Sequence, residues 1–326
     1  MMPTYPEARL LRLLSTACLL AAACATPAGS ARVNVTEVQD DASPHILCIL
    51  AHPDDETVFA GTLYKTATHL GGACDILLIT NGEGGFKYST LAERLYDLEL
   101  SDEAVGRANL PRIRRKEFLQ GCTYLGVRDV LFLNQQDHRY SQDPKEVLAH
   151  DADVWDLMKI ELALDRVLRE GEYDFVLAHL PTPTTHGHHQ AATLLALRAV
   201  NRMQPDARPV VLAATTNPEV AFTELPGYPE SLALPGPVYE FDRTQPFGHR
   251  DKLDYRIVVN WVIAAHKSQG TMQLAMSRGE RERFFVLDTG TAEAHSKSSA
   301  WFRALAEPQF PKRTYGVSAG TNASTN

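Results

Sequence analysis

The chain has 326 residues, 44% of them hydrophobic and 22% charged, with a formal charge of -8 and a pI near 5.8. That composition suits one large domain with a full core and excludes a disordered polymer. It also excludes nucleic acid as the main partner, because no Lys/Arg stripe is available to neutralise phosphates; the dense basic cluster of Arg112, Arg114, Arg115 and Lys116 reads as a solvated helix face.

Arg9 and Arg12 precede an apolar run at 13–23, the charged n-region and short h-region of an export leader. The run is too short to span a bilayer, so residues 1–31 are set apart from the fold. Leu20-Ala21-Ala22-Ala23-Cys24 resembles a lipobox, which would lipidate Cys24 and attach the chain to a membrane. A cut at Gly29-Ser30-Ala31 would release it instead. Either outcome implies an exported protein, periplasmic, envelope-bound or secreted. Cys48, Cys74 and Cys122 remain in the body, an odd number with no CxxC pair, and read as buried free thiols.

The body, 44–310, alternates strands with helices. The first strand runs over 46–50, followed by a helix over 56–69 closed by Gly71 and Gly72. A second strand at 75–80 ends in the loop Asn81-Gly82-Glu83-Gly84-Gly85, and 86–110 reads as polar and irregular. A helix over 112–125 follows, with Phe118, Leu119 and Cys122 at helical spacing and Gly126 at its end. Then come a strand at 129–133, a helix over 152–169, a strand at 175–178, a helix over 190–203 and a strand at 210–214. An extended segment at 238–241 and a late helix over 251–268 complete the pattern, and 311–326 reads as a disordered tail. Continuous apolar strands between helices predict a Rossmann-like α/β fold, a mostly parallel sheet with helices on both faces.

Two segments carry chemistry. The first strand runs straight into His52-Pro53-Asp54-Asp55-Glu56. Proline cannot donate to a sheet ladder and clustered carboxylates do not enter a core, so the chain has left the sheet here. An imidazole and three carboxylates at the carboxyl end of a strand stand where open α/β sheets place their sites. The second segment, His186-Gly187-His188-His189-Gln190, follows the fourth strand and opens a helix, so it emerges on the same edge. His52, Asp55 and one histidine of this cluster make a three-residue ligand set with an open fourth position, as a catalytic zinc site requires. No GxGxxG follows the first strand and no GxSxG follows a strand of the body, which counts against a dinucleotide cofactor and a serine hydrolase.

The AHPDDE run at 51–56, with a later HxxH at a helix start, resembles the PIG-L/LmbE-like zinc de-N-acetylases. Weaker matches are Thr80-Asn81-Gly82-Glu83-Gly84, Arg114-Arg115-Lys116-Glu117 and Ala265-His266-Lys267-Ser268-Gln269, so the resemblance covers roughly 46–269. It implies one Zn²⁺ per chain held by His52, Asp55 and His189, with Asp54 as the general base. It also implies that His186 stabilises the oxyanion or protonates the leaving amine. The substrate class it implies is an N-acetylated amino sugar or glycoconjugate, with an amidase on larger conjugates or a non-catalytic glycan binder as the alternatives. Two positions depart from the family pattern: His188 stands where an Asp usually orients the first histidine, and Thr184 stands where a tyrosine can gate the substrate. A ligand register through His188 therefore stays open. Asp137 and Glu83 are candidate pocket residues, His266 a candidate substrate contact, and Glu117 a candidate structural partner of an arginine.

Overall fold

The computed structural model describes residues 43–149 and 153–308. The leader expected at 1–31, with Cys24, and the tail expected at 311–326 lie outside these residues. The strands are β1 (His45–Leu50), β2 (Ala73–Thr80), β3 (Asp129–Gln135), β4 (Phe175–His179), β5 (Val210–Thr215), β6 (Tyr239–Asp242), the short hairpin β7 (Pro246–Phe247) and β8 (Leu253–Asp254), and β9 (Arg281–Leu287). The helices are α1 (Ala60–Tyr64), α2 (Thr90–Tyr96), α3 (Glu103–Leu125), α4 (Lys145–Leu148), α5 (Leu157–Gly171), α6 (Gly187–Asn201), α7 (Arg256–Ala265) and α8 (Ala294–Ala306).

Among the described residues the main sheet has the order β3-β2-β1-β4-β5-β9-β6, parallel except where β9 runs against both neighbours. Period-2 alternation sends β1 residues to opposite faces. Ile46, Cys48 and Leu50 pack with Phe118 of α3, Val262 of α7 and Trp301 of α8, whereas Leu47, Ile49 and Ala51 pack with Leu164 of α5 and Leu195 of α6. The expected α/β architecture with helices on both faces is therefore present. Chain order reverses between β1 and β4, which makes the carboxyl ends of these two strands the switch point where such sheets bind ligands. Cys48, Cys74 and Cys122 are buried free thiols.

Beyond shifts of a few residues at helix ends, the elements differ most from the sequence pattern in three places. The stretch 86–110 is not irregular: it holds α2 and the first turns of α3, which starts at Glu103 because the Asp102 side chain accepts from the Val105 N–H. Pro111 lies inside this helix rather than before it. The single helix expected over 56–69 is a composite, a 3-10 turn (Asp55–Phe59), α1 and a π turn (Lys65–His69). Finally, β9 and α8 had no counterpart in the reading of the sequence. The charged start Arg281-Glu282-Arg283 hides β9, yet Glu282 is fully buried.

That glutamate fixes the turn behind the site. Its Oε1 accepts from the Gly61 N–H at 2.8 Å, and its Oε2 accepts from the Thr62 N–H at 3.0 Å and the Thr62 hydroxyl at 2.6 Å. These are N–H groups that a helix start leaves without partners. Arg243 donates to Glu282 at 2.7 Å and to the carbonyls of Thr57 and Val58 at 2.6 and 3.1 Å. Removing one member strands a buried charge, so Arg243→Met should destabilise the protein by about 3–5 kcal/mol. Chemical denaturation should show this as a lower midpoint; an unchanged midpoint would remove the pair from the account.

Candidate metal centre

Asp55 organises the end of β1. Its Oδ2 accepts from the Ala51 and His52 N–H groups at 2.9 and 2.8 Å, which turns the chain out of the sheet and aims Oδ1 across the switch point. Oδ1 lies 3.0 Å from His189 Nε2 and 3.8 Å from His52 Nδ1, and those two nitrogens are 3.0 Å apart. Donors about 2.0–2.2 Å from a tetrahedral zinc would be separated by roughly 3.3–3.6 Å, so two imidazoles and a carboxylate in this triangle fit a divalent cation. The N-terminus of α6 brings His189 to this place. His186 is its N-cap residue, accepting the His188 N–H on Nδ1 at 3.0 Å, so the helix starts three residues earlier than the sequence pattern suggested.

The far side of the His52 ring meets a second polar pair. Nε2 faces His188 Nδ1 at 3.0 Å and Asp137 Oδ1 at 3.7 Å, while His188 Nδ1 and Asp137 Oδ1 are 3.4 Å apart. The hydrogen bond of Nε2 is with His188, while the Asp137 carboxylate stands beyond hydrogen-bond reach of it and acts on the ring through its charge. The register through His188 is also formed, since ring nitrogens of His52, His186 and His188 lie within 4.8 Å of one another. The cleft separates the two sets. His52, Asp55 and His189 all line it and His188 does not, so an ion on the first set would face substrate.

This cleft holds about 260 Å³ and is walled by Asp54, Arg114, Asp137, His186, Tyr140 and Met272 around the three donors. Asp54 stays outside the donor triangle, with its carboxylate 3.0 Å from Arg114 Nη2. Its φ of 117° is unusual for a residue with a side chain and costs on the order of 1–3 kcal/mol. Arg114 also donates to the carbonyls of Pro53 and Gly82. Gly82, at φ +73°, gives the guanidinium room: a Cβ there would stand 2.3 Å from Arg114 Nη1.

Burial and charge set the protonation states. Burial pushes the Asp54 carboxyl up, against the opposing pull of Arg114. Burial would also raise Asp55, but His189 and His179 beside it hold it well below the usual carboxylate range. Burial, followed by the neighbouring imidazoles, drives His186 down to about 2, so it is neutral at working pH. With Nδ1 accepting the His188 N–H, its proton sits on Nε2.

Of the site residues read from sequence, His52, Asp54, Asp55, His186 and His189 converge on one cleft, and Asp137 joins them. Glu83 does not line it, and neither does His266, which is fully buried with Nε2 2.5 Å from Glu56 Oε1. Among the described residues Glu117 pairs with no arginine; it accepts from the Ser268 N–H and hydroxyl and from Tyr96. Arg112, Arg115 and Lys116 are exposed as the solvated-face reading expected, whereas Arg114 departs from it, being only 2% exposed. Its spacing could have revealed it, because Leu110, Arg114, Phe118, Gly121 and Leu125 form one buried helical stripe. His179 was also missed. It ends β4 beside β1, and its ring centroid lies 4.3 Å from that of His189, the two planes tilted by 48°. Tyr140 stands 5.0 Å from His186, on the wall of the cleft.

The family model described as GlcNAc-PI de-N-acetylase (PIG-L) matches residues 47–200, which span every donor described above. The "Probable N-acetyl-alpha-D-glucosaminyl L-malate deacetylase 2" of Bacillus cereus is 24% identical over 231 residues, covering 70% of this chain and 93% of that protein. The protein of the same name from Bacillus subtilis is 23% identical over 182 residues, covering 55% and 72%. Among solved structures, the N,N'-diacetylchitobiose deacetylase from Pyrococcus horikoshii aligns with a TM-score of 0.46 at 18% identity, covering 76% of this chain and 84% of that one.

Arg114 gives the site a pH signature. Its charge opposes the upward shift of Asp54, so Arg114→Met should raise the Asp54 pKa further. In the base role that the sequence resemblance implies for Asp54, the group must be deprotonated to act, so the acid limb of the kcat/KM profile should move to higher pH. An unmoved limb would detach Asp54 from that limb.

Proposed function

Because the chain belongs to the PIG-L/LmbE-like deacetylase family, we propose that it is a zinc-dependent hydrolase that removes an N-acetyl group from an amino sugar or glycoconjugate. One observation carries this reading: a carboxylate, Asp54, sits in the same cleft as the His52/Asp55/His189 donor triangle without belonging to it. A binding protein has no use for such a group, whereas an amide hydrolase needs a base beside its metal.

In this reading His52, Asp55 and His189 hold one Zn²⁺, which supplies a Lewis acid and lowers the pKa of water towards 7. Asp54, raised by burial and aimed by Arg114, takes the proton of the attacking water and passes it to the departing amine. His186, neutral and carrying its proton on Nε2, donates a hydrogen bond to the amide oxygen as charge develops there. His52 would bind through Nδ1 while its Nε2 stays on His188, with the Asp137 carboxylate behind that pair. The leader expected at 1–31 adds export to the proposal, so envelope glycan or an environmental N-acyl sugar is the substrate pool.

Acetate release from a panel of N-acetylated sugars, with Zn²⁺ supplied, tests this reading. Asp54→Asn should lower kcat by about 10²–10⁴-fold while the protein keeps its metal. Chelation should abolish turnover and added Zn²⁺ should restore it. Full activity in the Asn variant, or in metal-stripped protein, would overturn the mechanism.

A further inference from the structure

We propose that Glu56 and His266, neither of which reaches the cleft, are positioning residues for Asp54; the inference rests on the hydrolase reading above. Asp54 holds φ 117° and ψ -15°, on the left-handed side that side chains avoid, and only surrounding bonds can keep it there. Its carbonyl accepts from the Thr57 N–H at 3.1 Å and the Thr57 hydroxyl at 2.7 Å. Its own N–H donates to Glu56 Oε2 at 3.0 Å.

Glu56 is fully buried and turned away from the cleft. One of its oxygens takes the Asp54 peptide and the other lies 2.5 Å from His266 Nε2, also fully buried. A carboxylate at that depth keeps its place only with a partner for each oxygen. His266 is fixed in turn. Its N–H donates to the Ile263 carbonyl at the end of α7, and its carbonyl accepts from Gln273 Nε2 at 2.9 Å and the Gln269 N–H at 3.0 Å. Helix α3 leaves space over the pair at Gly121, where a Cβ would stand 3.1 Å from Glu56 Oε1.

A continuous path thus runs from the end of α7 through His266 and Glu56 to the Asp54 peptide, while Arg114 holds the carboxylate at the other end. Without the imidazole, Glu56 loses one partner, the strained peptide relaxes and the carboxylate swings off line. A displacement of about 1 Å costs a reacting group on the order of 10²-fold in rate.

The test is a double-mutant cycle on the full chain with an N-acetylated sugar, read as kcat, KM and bound zinc. His266→Leu should lower kcat by about 10²-fold with KM and zinc content unchanged. His266→Gln, whose amide N–H can reach Glu56, should recover most of that loss. In an Asp54→Asn background His266→Leu should cause no further fall in kcat, because the group it positions has already been disabled. An equal fall in both backgrounds, a loss expressed in KM, or loss of zinc would each overturn the positioning role. Should the Leu variant not fold, His266→Asn replaces it: Asn is too short to reach Glu56 and should lose what Gln keeps, and equal activities would overturn the proposal. Wild-type turnover separates the two levels. A protein that releases acetate from no N-acyl sugar removes the hydrolase reading and this proposal with it, whereas turnover with additive variants removes only the positioning.

Discussion

The division of labour within the Asp55 carboxylate is the constraint on which the site depends. Oδ2 is committed to the N–H groups that end β1, and Oδ1 reaches across the switch point to the first turn of α6. One side chain therefore ends the strand, aligns His52 with His189 and leaves an oxygen for a cation. With Asp55 fixed in this way, Asp54 is forced to the other side of the chain, and the cost of that geometry appears as its positive φ. The motif is compact because two adjacent carboxylates are set to different partners: Asp55 to the donor triangle, Asp54 to Arg114.

The region behind the cleft is unusually polar for a core. Glu56, Glu117 and Glu282 are each 0–2% exposed, and each holds a segment that frames the site. Glu282 fixes the start of α1, Glu56 the Asp54 peptide, and Glu117 the Ser268 turn after α7. Burying such groups gains little net stability over apolar packing, but each accepts bonds from donors that have few other partners, which selects one backbone arrangement. This explains how chain segments about 200 residues apart meet around a single strained residue.

Much of this was legible in the sequence, for physical reasons that differ by residue. The apolar strand breaking into His52-Pro53-Asp54-Asp55 and the histidines opening α6 announced themselves, because strand ends and helix starts have local signatures. The sheet class followed from the alternation of apolar runs. The start of α3 was hidden by Pro111, which reads as a boundary unless the Asp102 cap is noticed. Arg114 was hidden by its charged neighbours, although its place on the buried stripe was available. The Glu56–His266 contact joins residues 210 positions apart, and no local pattern encodes such a pairing. β9 escaped because its inward glutamate is partnered only in three dimensions, by Arg243 and the start of α1.

The most direct test of the central claim is anomalous diffraction at the zinc edge from crystals of the Zn²⁺-loaded protein. The account predicts one peak per chain among His52 Nδ1, Asp55 Oδ1 and His189 Nε2, facing the cleft, with Asp54 outside the coordination shell. A peak against His188 and Asp137 instead, or Asp54 bound to the ion, would contradict it.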